Sequence, residues 1–332
     1  MWIPSSTIRC YNHHFQTVVN HNTNSEHHRR LLGSNKIQNL TIVKSDWSTR
    51  IMSANVGTIT RLHWAGSNVW AESKFEAWEY SILSKMRYLR ELELMGWITL
   101  REPDFCTLLT EARNLTKLKL RGVNGLNVAH KLSGQLIRLE SWEVEVNEMN
   151  SAFMLGLIGY LPKLSHLLID ATWVSRTKAR EDLEVLVNQV GQFCKELRSI
   201  ALSTSYRFES KSLAVQDDLI ASLAACAASR GLCHFSADLD VVGPKLEVML
   251  VAQKSTLTSL VLRVSEIHSD GRHRSATAKP RVIDTSSGQV VWKSGAAPVI
   301  PNLTSFETDL WRQLLALPKL TELQWDSVLH IR

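Results

Sequence analysis

At 332 residues and 44% hydrophobic, the chain holds enough apolar material for two ordinary domains or one elongated repeat array. A charged fraction of 21% excludes wholesale disorder, and no apolar run approaches the roughly eighteen residues of a membrane-spanning helix. The formal net charge of +6 gathers in residues 1–36 and 263–281, each with a net of +3. Nucleic acid as a partner would call instead for one dense basic stripe on folded surface, so it is not expected.

Residues 1–35 form an irregular polar segment with five histidines, His13, His14, His21, His27 and His28. A metal site needs ligands converging at about 2 Å on a fixed frame, and this stretch supplies neither a frame nor cysteines at matching spacing. The opening Met-Trp-Ile-Pro-Ser-Ser lacks the apolar core of a signal peptide. The five cysteines, Cys10, Cys106, Cys194, Cys226 and Cys233, are odd in number and form no Cys-x-x-Cys pair. Reduced thiols, and hence a cytoplasmic or nuclear location without a membrane partner, are expected.

From residue 36 onward one phrase returns: apolar, two variable, Leu, two variable, apolar, one variable, apolar. It reads Met86-x-x-Leu89-x-x-Leu92-x-Leu94, Ala112-x-x-Leu115-x-x-Leu118-x-Leu120, Leu136-x-x-Leu139-x-x-Trp142-x-Val144 and Leu161-x-x-Leu164-x-x-Leu167-x-Ile169. The central residues Leu92, Leu118, Trp142 and Leu167 are 26, 24 and 25 positions apart, inside the leucine-rich-repeat range. Looser copies begin at Ile37, Ile59, Leu197, Leu232, Leu257, Leu303 and Leu320. Three Asn-Leu-Thr sequons, at Asn39, Asn114 and Asn302, enter strands of this repeat.

Between the strand phrases the period lengthens to about 3.6. Phe105, Leu108 and Leu109 after Pro103-Asp104 predict a short helix, and Phe153, Met154, Leu157 and Ile158 after Asn150-Ser151 predict another. Leu183, Leu186, Val187, Val190 and Phe193 predict a third, and Leu219, Ile220, Leu223 and Ala227 a fourth. Each strand–helix pair leaves an apolar face that only a stacked neighbour can bury. The expected fold is therefore α/β: a leucine-rich-repeat solenoid over residues 36–332, a horseshoe with parallel strands on the concave face and helices on the convex face. Residues 266–300 interrupt the array, and Arg281-Val-Ile-Asp284 and Gln289-Val-Val-Trp292 around a four-residue loop read as a hairpin.

Signatures of catalysis are missing: no His-Glu-x-x-His, Gly-x-Ser-x-Gly, phosphate loop or dinucleotide fingerprint occurs. Neither an enzyme nor a bound cofactor is expected. Asp238-Leu-Asp240 is too short a match to mark a metal site, and Cys226 and Cys233-His234 read as packing rather than reactive residues. Of the eleven tryptophans, Trp64, Trp142 and Trp325 occupy core strand positions; Trp47, Trp97, Trp173 and Trp292 fall in turns or the insertion and suit an interface.

Side chains alternate along a strand, so the residues flanking each central apolar position point to the opposite face. Aligning the central residues places Glu93, Lys119 and Glu143 in one row, Arg121 beside Glu145 in the next, and Glu91 opposite Lys117. His166 and Asp170, with Ser199 and Ser203, continue the polar surface. These residues, Glu91, Glu93, Lys117, Lys119, Arg121, Glu143, Glu145, His166 and Asp170, are the expected partner-binding positions for another protein. Mutual neutralisation across strands is the competing, purely structural role.

The phrases Lys36-Ile-Gln-Asn-Leu-Thr-Ile42, Tyr88-Leu-Arg-Glu-Leu-Glu-Leu94 and Asn114-Leu-Thr-Lys-Leu-Lys-Leu120 resemble those of fungal F-box/leucine-rich-repeat proteins, over roughly residues 36–330. The resemblance implies a non-catalytic recognition module, the substrate-binding part of an F-box-type receptor of a Skp1–cullin ubiquitin ligase. Residues 1–36 show Ile3-Pro4 but not the amphipathic helices of an F-box, so Skp1 and cullin enter as partners only where an F-box lies upstream. The alternative is a structural or regulatory repeat scaffold with no link to ubiquitination.

Overall fold

The computed structural model describes residues 9–11, 14–19, 37–43, 46–66, 73–126, 136, 138–147, 150–172, 176–204, 231–239, 244–264, 281–284, 289–292, 314 and 316–327. The chain divides into two compact units, 1–163 and 164–332. Both are α/β with parallel strands.

In the first unit the strands are β1 (Arg9–Tyr11), β2 (His14–Val19), β3 (Asn39–Val43), β4 (Arg61–Ala65), β5 (Ser73–Lys74), β6 (Glu91–Thr99), β7 (Lys117–Asn124) and β8 (Ser141–Asn147). From β2 the strands β2, β3, β4, β6, β7 and β8 pair in parallel in that order; β1 is antiparallel to β2, and β5 adds to the far end of β6. Thus β1 and β2 lie within the segment whose sequence shows no period. The helices are α1 (Asp46–Ala54), α2 (Ala77–Ser84), α3 (Glu102–Glu111) and α4 (Ser151–Leu157), the last continued by a 3-10 turn over Ile158–Tyr160.

Register follows the repeat. Leu40, Leu62, Leu92, Leu118 and Trp142 are cross-strand partners in turn, and none is more than 2% exposed. The next inward row, Ile42, Trp64, Leu94, Leu120 and Val144, is equally buried. Each large apolar side chain taken from water in these rows contributes roughly 1.5–3 kcal/mol. Trp64 packs edge-on to Phe75, and Phe75 on Tyr80, with ring centroids 5.2 and 4.8 Å apart. Burial pushes the Tyr80 phenol well above its ordinary range, while its oxygen accepts the Arg101 N–H at 2.8 Å.

One carbonyl per repeat ties each strand entrance to the next. The Gln38 carbonyl accepts from the Thr60 and Arg61 amides at 2.8 and 3.0 Å; the Thr60, Arg90 and Thr116 carbonyls do the same for Arg90 and Glu91, Thr116 and Lys117, and Glu140 and Ser141. Threonine suits this position because its hydroxyl adds a bond to the same carbonyl, from Thr60 to Gln38 and from Thr116 to Arg90. The sequon residue Asn114 spends its amide on the Arg87 carbonyl and on Arg138. Its Leu115 is core and its Thr116 belongs to the carbonyl stack.

The second unit repeats the scheme with β9 (His166–Thr172), β10 (Ser199–Thr204), β11 (His234–Leu239), β12 (Ser259–Val264) and β15 (Glu322–Ser327) in parallel. Leu167, Ile200, Phe235, Leu260 and Leu323 form its central buried row. The Ser165, Arg198, Cys233 and Thr258 carbonyls each accept two amides from the following repeat. Helices α5 (Arg176–Phe193) and α6 (Pro244–Gln253) are its described helices. The strands β13 (Arg281–Asp284) and β14 (Gln289–Trp292) form an antiparallel hairpin that joins the edge of β15. The helix expected over Leu219–Ala227 and the repeat at Leu303 lie outside the described residues, as do His13, His21, His27, His28, Cys226 and Asp240.

Candidate functional site: a charged ladder on the sheet of the first unit

Two rows of alternating charge cross β4, β6, β7 and β8. In the first, Arg61, Glu91, Lys117 and Ser141 are successive partners; in the second, His63, Glu93, Lys119 and Glu143. Parallel pairing in register forces this alignment, since strands lie about 4.8 Å apart and neighbouring side chains stand side by side.

The side chains close into a network. Glu91 takes Arg61 at 3.3 Å and Lys117 at 3.2 Å. Glu93 takes His63 at 3.0 Å and Lys119 at 3.4 Å, and Lys119 bridges onward to Glu143 at 3.1 Å. Glu143 also receives Arg121. A depression of about 420 Å³ is lined by residues of these rows and by Asn39 and Thr41 of β3.

The side-chain contacts of the third row are not those of simple opposition across the strands. Arg121 does not pair with Glu145: it reaches diagonally to Glu143, while the Glu145 carboxylate accepts the backbone N–H of Gly122 at 2.8 Å. The cause is a glycine step. Gly96 and Gly122 have φ of +105° and +64°, and a Cβ on Gly122 would lie 2.8 Å from the Gly96 carbonyl oxygen. The positive φ that glycine permits turns the Gly122 amide toward Glu145, and the long Arg121 side chain spans to the diagonal neighbour. At the same step β6 shifts register between Met95 and Ile98, and Trp97 is left 58% exposed. Trp64 and Trp142 are buried in the core, and no described residue accepts either indole N–H.

His166 and Asp170 belong to β9 of the second unit and form their own rows there. His166, Ser199, His234, Ser259 and Glu322 are successive cross-strand partners, and Asp170 is partnered with Ser203. Ser259 donates its hydroxyl to Glu322 at 2.7 Å and lies 2.7 Å from Nδ1 of His234. Its single hydroxyl hydrogen goes to Glu322, so Nδ1 of His234 carries a proton and donates to Ser259. Burial holds the His234 imidazole below its ordinary pKa; Glu322 acts against this and His166 with it. Cys233, the residue before His234, lies 3.9 Å from an Arg198 guanidinium nitrogen. Burial and then Glu102 push the Cys106 thiol up to about 11.

The alignment that found the ladder could have found the rest. Counting one residue before each central position gives Arg61 in the first unit and His234, Ser259 and Glu322 in the second; one residue after gives His63. Among the described residues no cluster of three His, Cys, Asp or Glu side chains could hold a metal, and no helix is long and apolar enough to cross a membrane. No protein-family model matches the chain, and no curated protein is significantly similar to it in sequence.

Proposed function

We propose that this chain is a leucine-rich-repeat solenoid, curved as a horseshoe with its strands on the concave face and its helices on the convex face. Its charged ladder recognises a protein partner. The protein acts without catalysis or a cofactor, in the cytoplasm or nucleus, as the substrate-binding part of an F-box-type receptor. The observation that carries the recognition reading is the interlocked charge network on side chains that the core does not need. Charges arranged this way contribute more to partner selection than to affinity. The repeating carbonyl stack within each unit supports the solenoid, because it imposes the same spacing at every strand entrance.

The test is co-purification with the full chain and with a Lys119→Glu/Arg121→Glu variant, matched by circular dichroism and melting temperature. Loss of specific partners with the variant is expected; unchanged recovery with the fold intact overturns the reading. Skp1 and cullin among the recovered proteins support the ligase role, and their absence removes it while leaving recognition standing. A second reading, a structural scaffold, draws on the pairing of Glu91, Glu93 and Glu143 with cations of the same sheet. It predicts that the same variant loses stability and no partner.

A further inference from the structure

The three most exposed side chains of the ladder's ion pairs are all cations, while His63 and Lys119 are as recessed as the glutamates. The Glu91, Glu93 and Glu143 side chains are 29, 27 and 22% exposed, whereas Arg61, Lys117 and Arg121 are 62, 58 and 45% exposed. Each of those carboxylates is held between two basic side chains, while each of the three outer cations touches one carboxylate. A guanidinium carries five N–H donors and an ammonium three, so the outer cations keep donors to spare and the acids sit beneath them. The first row also adjoins the turns entering β6 and β7, where Arg87, Arg90 and Arg113 are exposed.

Resting on the reading of this face as a recognition surface, we propose that its occupant is an acidic peptide segment of a protein partner, seated over Arg61, Lys117 and Arg121. Separate carboxylates on flexible side chains can reach Arg61 and Lys117, which stand two strands, about 9.6 Å, apart with the recessed Glu91 between them, and Arg121 farther along the same strand as Lys117. A nucleic-acid backbone presents an unbroken line of phosphates, which the interposed Glu91 and Glu143 would repel.

The experiment is fluorescence anisotropy of a labelled Glu-rich peptide titrated with the full chain. A Lys-rich peptide of equal length and a single-stranded oligonucleotide of equal charge serve as controls. Saturable binding of the Glu-rich peptide alone is expected, weakened about tenfold or more by Arg61→Glu/Lys117→Glu and weakened again by added salt. If the reversal variant does not fold, Arg61→Gln/Lys117→Gln removes the charges without introducing new ones and should weaken binding in the same direction. Absence of saturable binding, insensitivity to these variants, or equal binding of the oligonucleotide overturns the proposal. Failure of the peptide while Lys119→Glu/Arg121→Glu still loses its native partners refutes the acidic occupant alone. Failure of both refutes the recognition surface.

Discussion

Lys119 is the residue on which the ladder turns, and replacing it with methionine separates charge from volume. The substitution keeps the aliphatic stem and deletes an ammonium placed 3.4 Å from Glu93 and 3.1 Å from Glu143. All three side chains are 22–30% exposed, so solvent screens each contact, and each is worth about 0.2–1 kcal/mol net. Neither carboxylate is orphaned, because Glu93 keeps His63 and Glu143 keeps Arg121. The larger penalty of an uncompensated buried charge, about 3–5 kcal/mol, therefore does not arise. We expect Lys119→Met to lower the unfolding free energy by about 0.5–2 kcal/mol. Leu118→Ala, one residue away on the buried side, should cost about 2–5 kcal/mol. Urea unfolding at low salt and at about 1 M NaCl, where the screening length falls to about 3 Å, measures both. The Lys119→Met deficit should shrink in salt and the Leu118→Ala deficit should persist. A Lys119→Met loss as large as that of Leu118→Ala, or one indifferent to salt, would refute the division between a screened outer face and a stabilising inner one.

Gly122→Ala should destabilise by at least about 1–3 kcal/mol, because its positive φ and the 2.8 Å approach to Gly96 leave no room for a Cβ. Gly57→Ala, with nothing within 4 Å, should melt as the native chain does. The depressed pKa of His234 makes its contribution present in full above the ordinary value of about 6.5 and lost as pH falls from there through the folded value. His234→Gln should flatten that acid limb in melting temperature against pH. Glu322→Gln should move the His234 titration, followed by NMR, further down, since Glu322 now holds it up. A rise would contradict the assigned electrostatics. Trp142→Phe removes an indole N–H that no described residue accepts, so it should cost less in urea unfolding than Trp142→Ala, for which about 3–5 kcal/mol is expected.

Much of the fold was legible because the repeat makes one alignment serve every strand. The central residues of the four regular phrases, Leu92, Leu118, Trp142 and Leu167, are each buried on a strand, and the Glu93–Lys119–Glu143 row follows from period two and parallel register. Arg61 and His63 escaped notice because their repeat is looser, although the same counting reaches them. The exchange of partners at Arg121 was not legible: it depends on the backbone turn at Gly122, and side-chain alternation carries no information about an amide direction. Three described helices, α1, α2 and α6, are not among those the 3.6-residue period predicts. α2 is capped by reciprocal bonds between Glu76 and Glu79, yet glutamate is not among the residues that ordinarily announce a helix start. α6 leaves Val248 and Val251 exposed, which blurs its 3.6-residue stripe.

The recessed glutamates give the ladder its logic. Arg61 and Lys117 stand two strands apart on one face, and two cations at about 9.6 Å would repel one another and leave their long side chains free to splay. Glu91 between them pairs with both, so the repulsion is offset and the two side chains share one anchor. Lys119 and Arg121 are fixed through Glu143 in the same way. Ordering a long, rotamer-rich side chain on binding costs roughly 0.5–1.5 kcal/mol, and a surface whose cations are already tethered gives up less of it. On this account the carboxylates are supports that hold donors outward, and the polar rows can change in sequence to suit a partner while Leu92, Leu118 and Trp142 beneath them maintain the repeat.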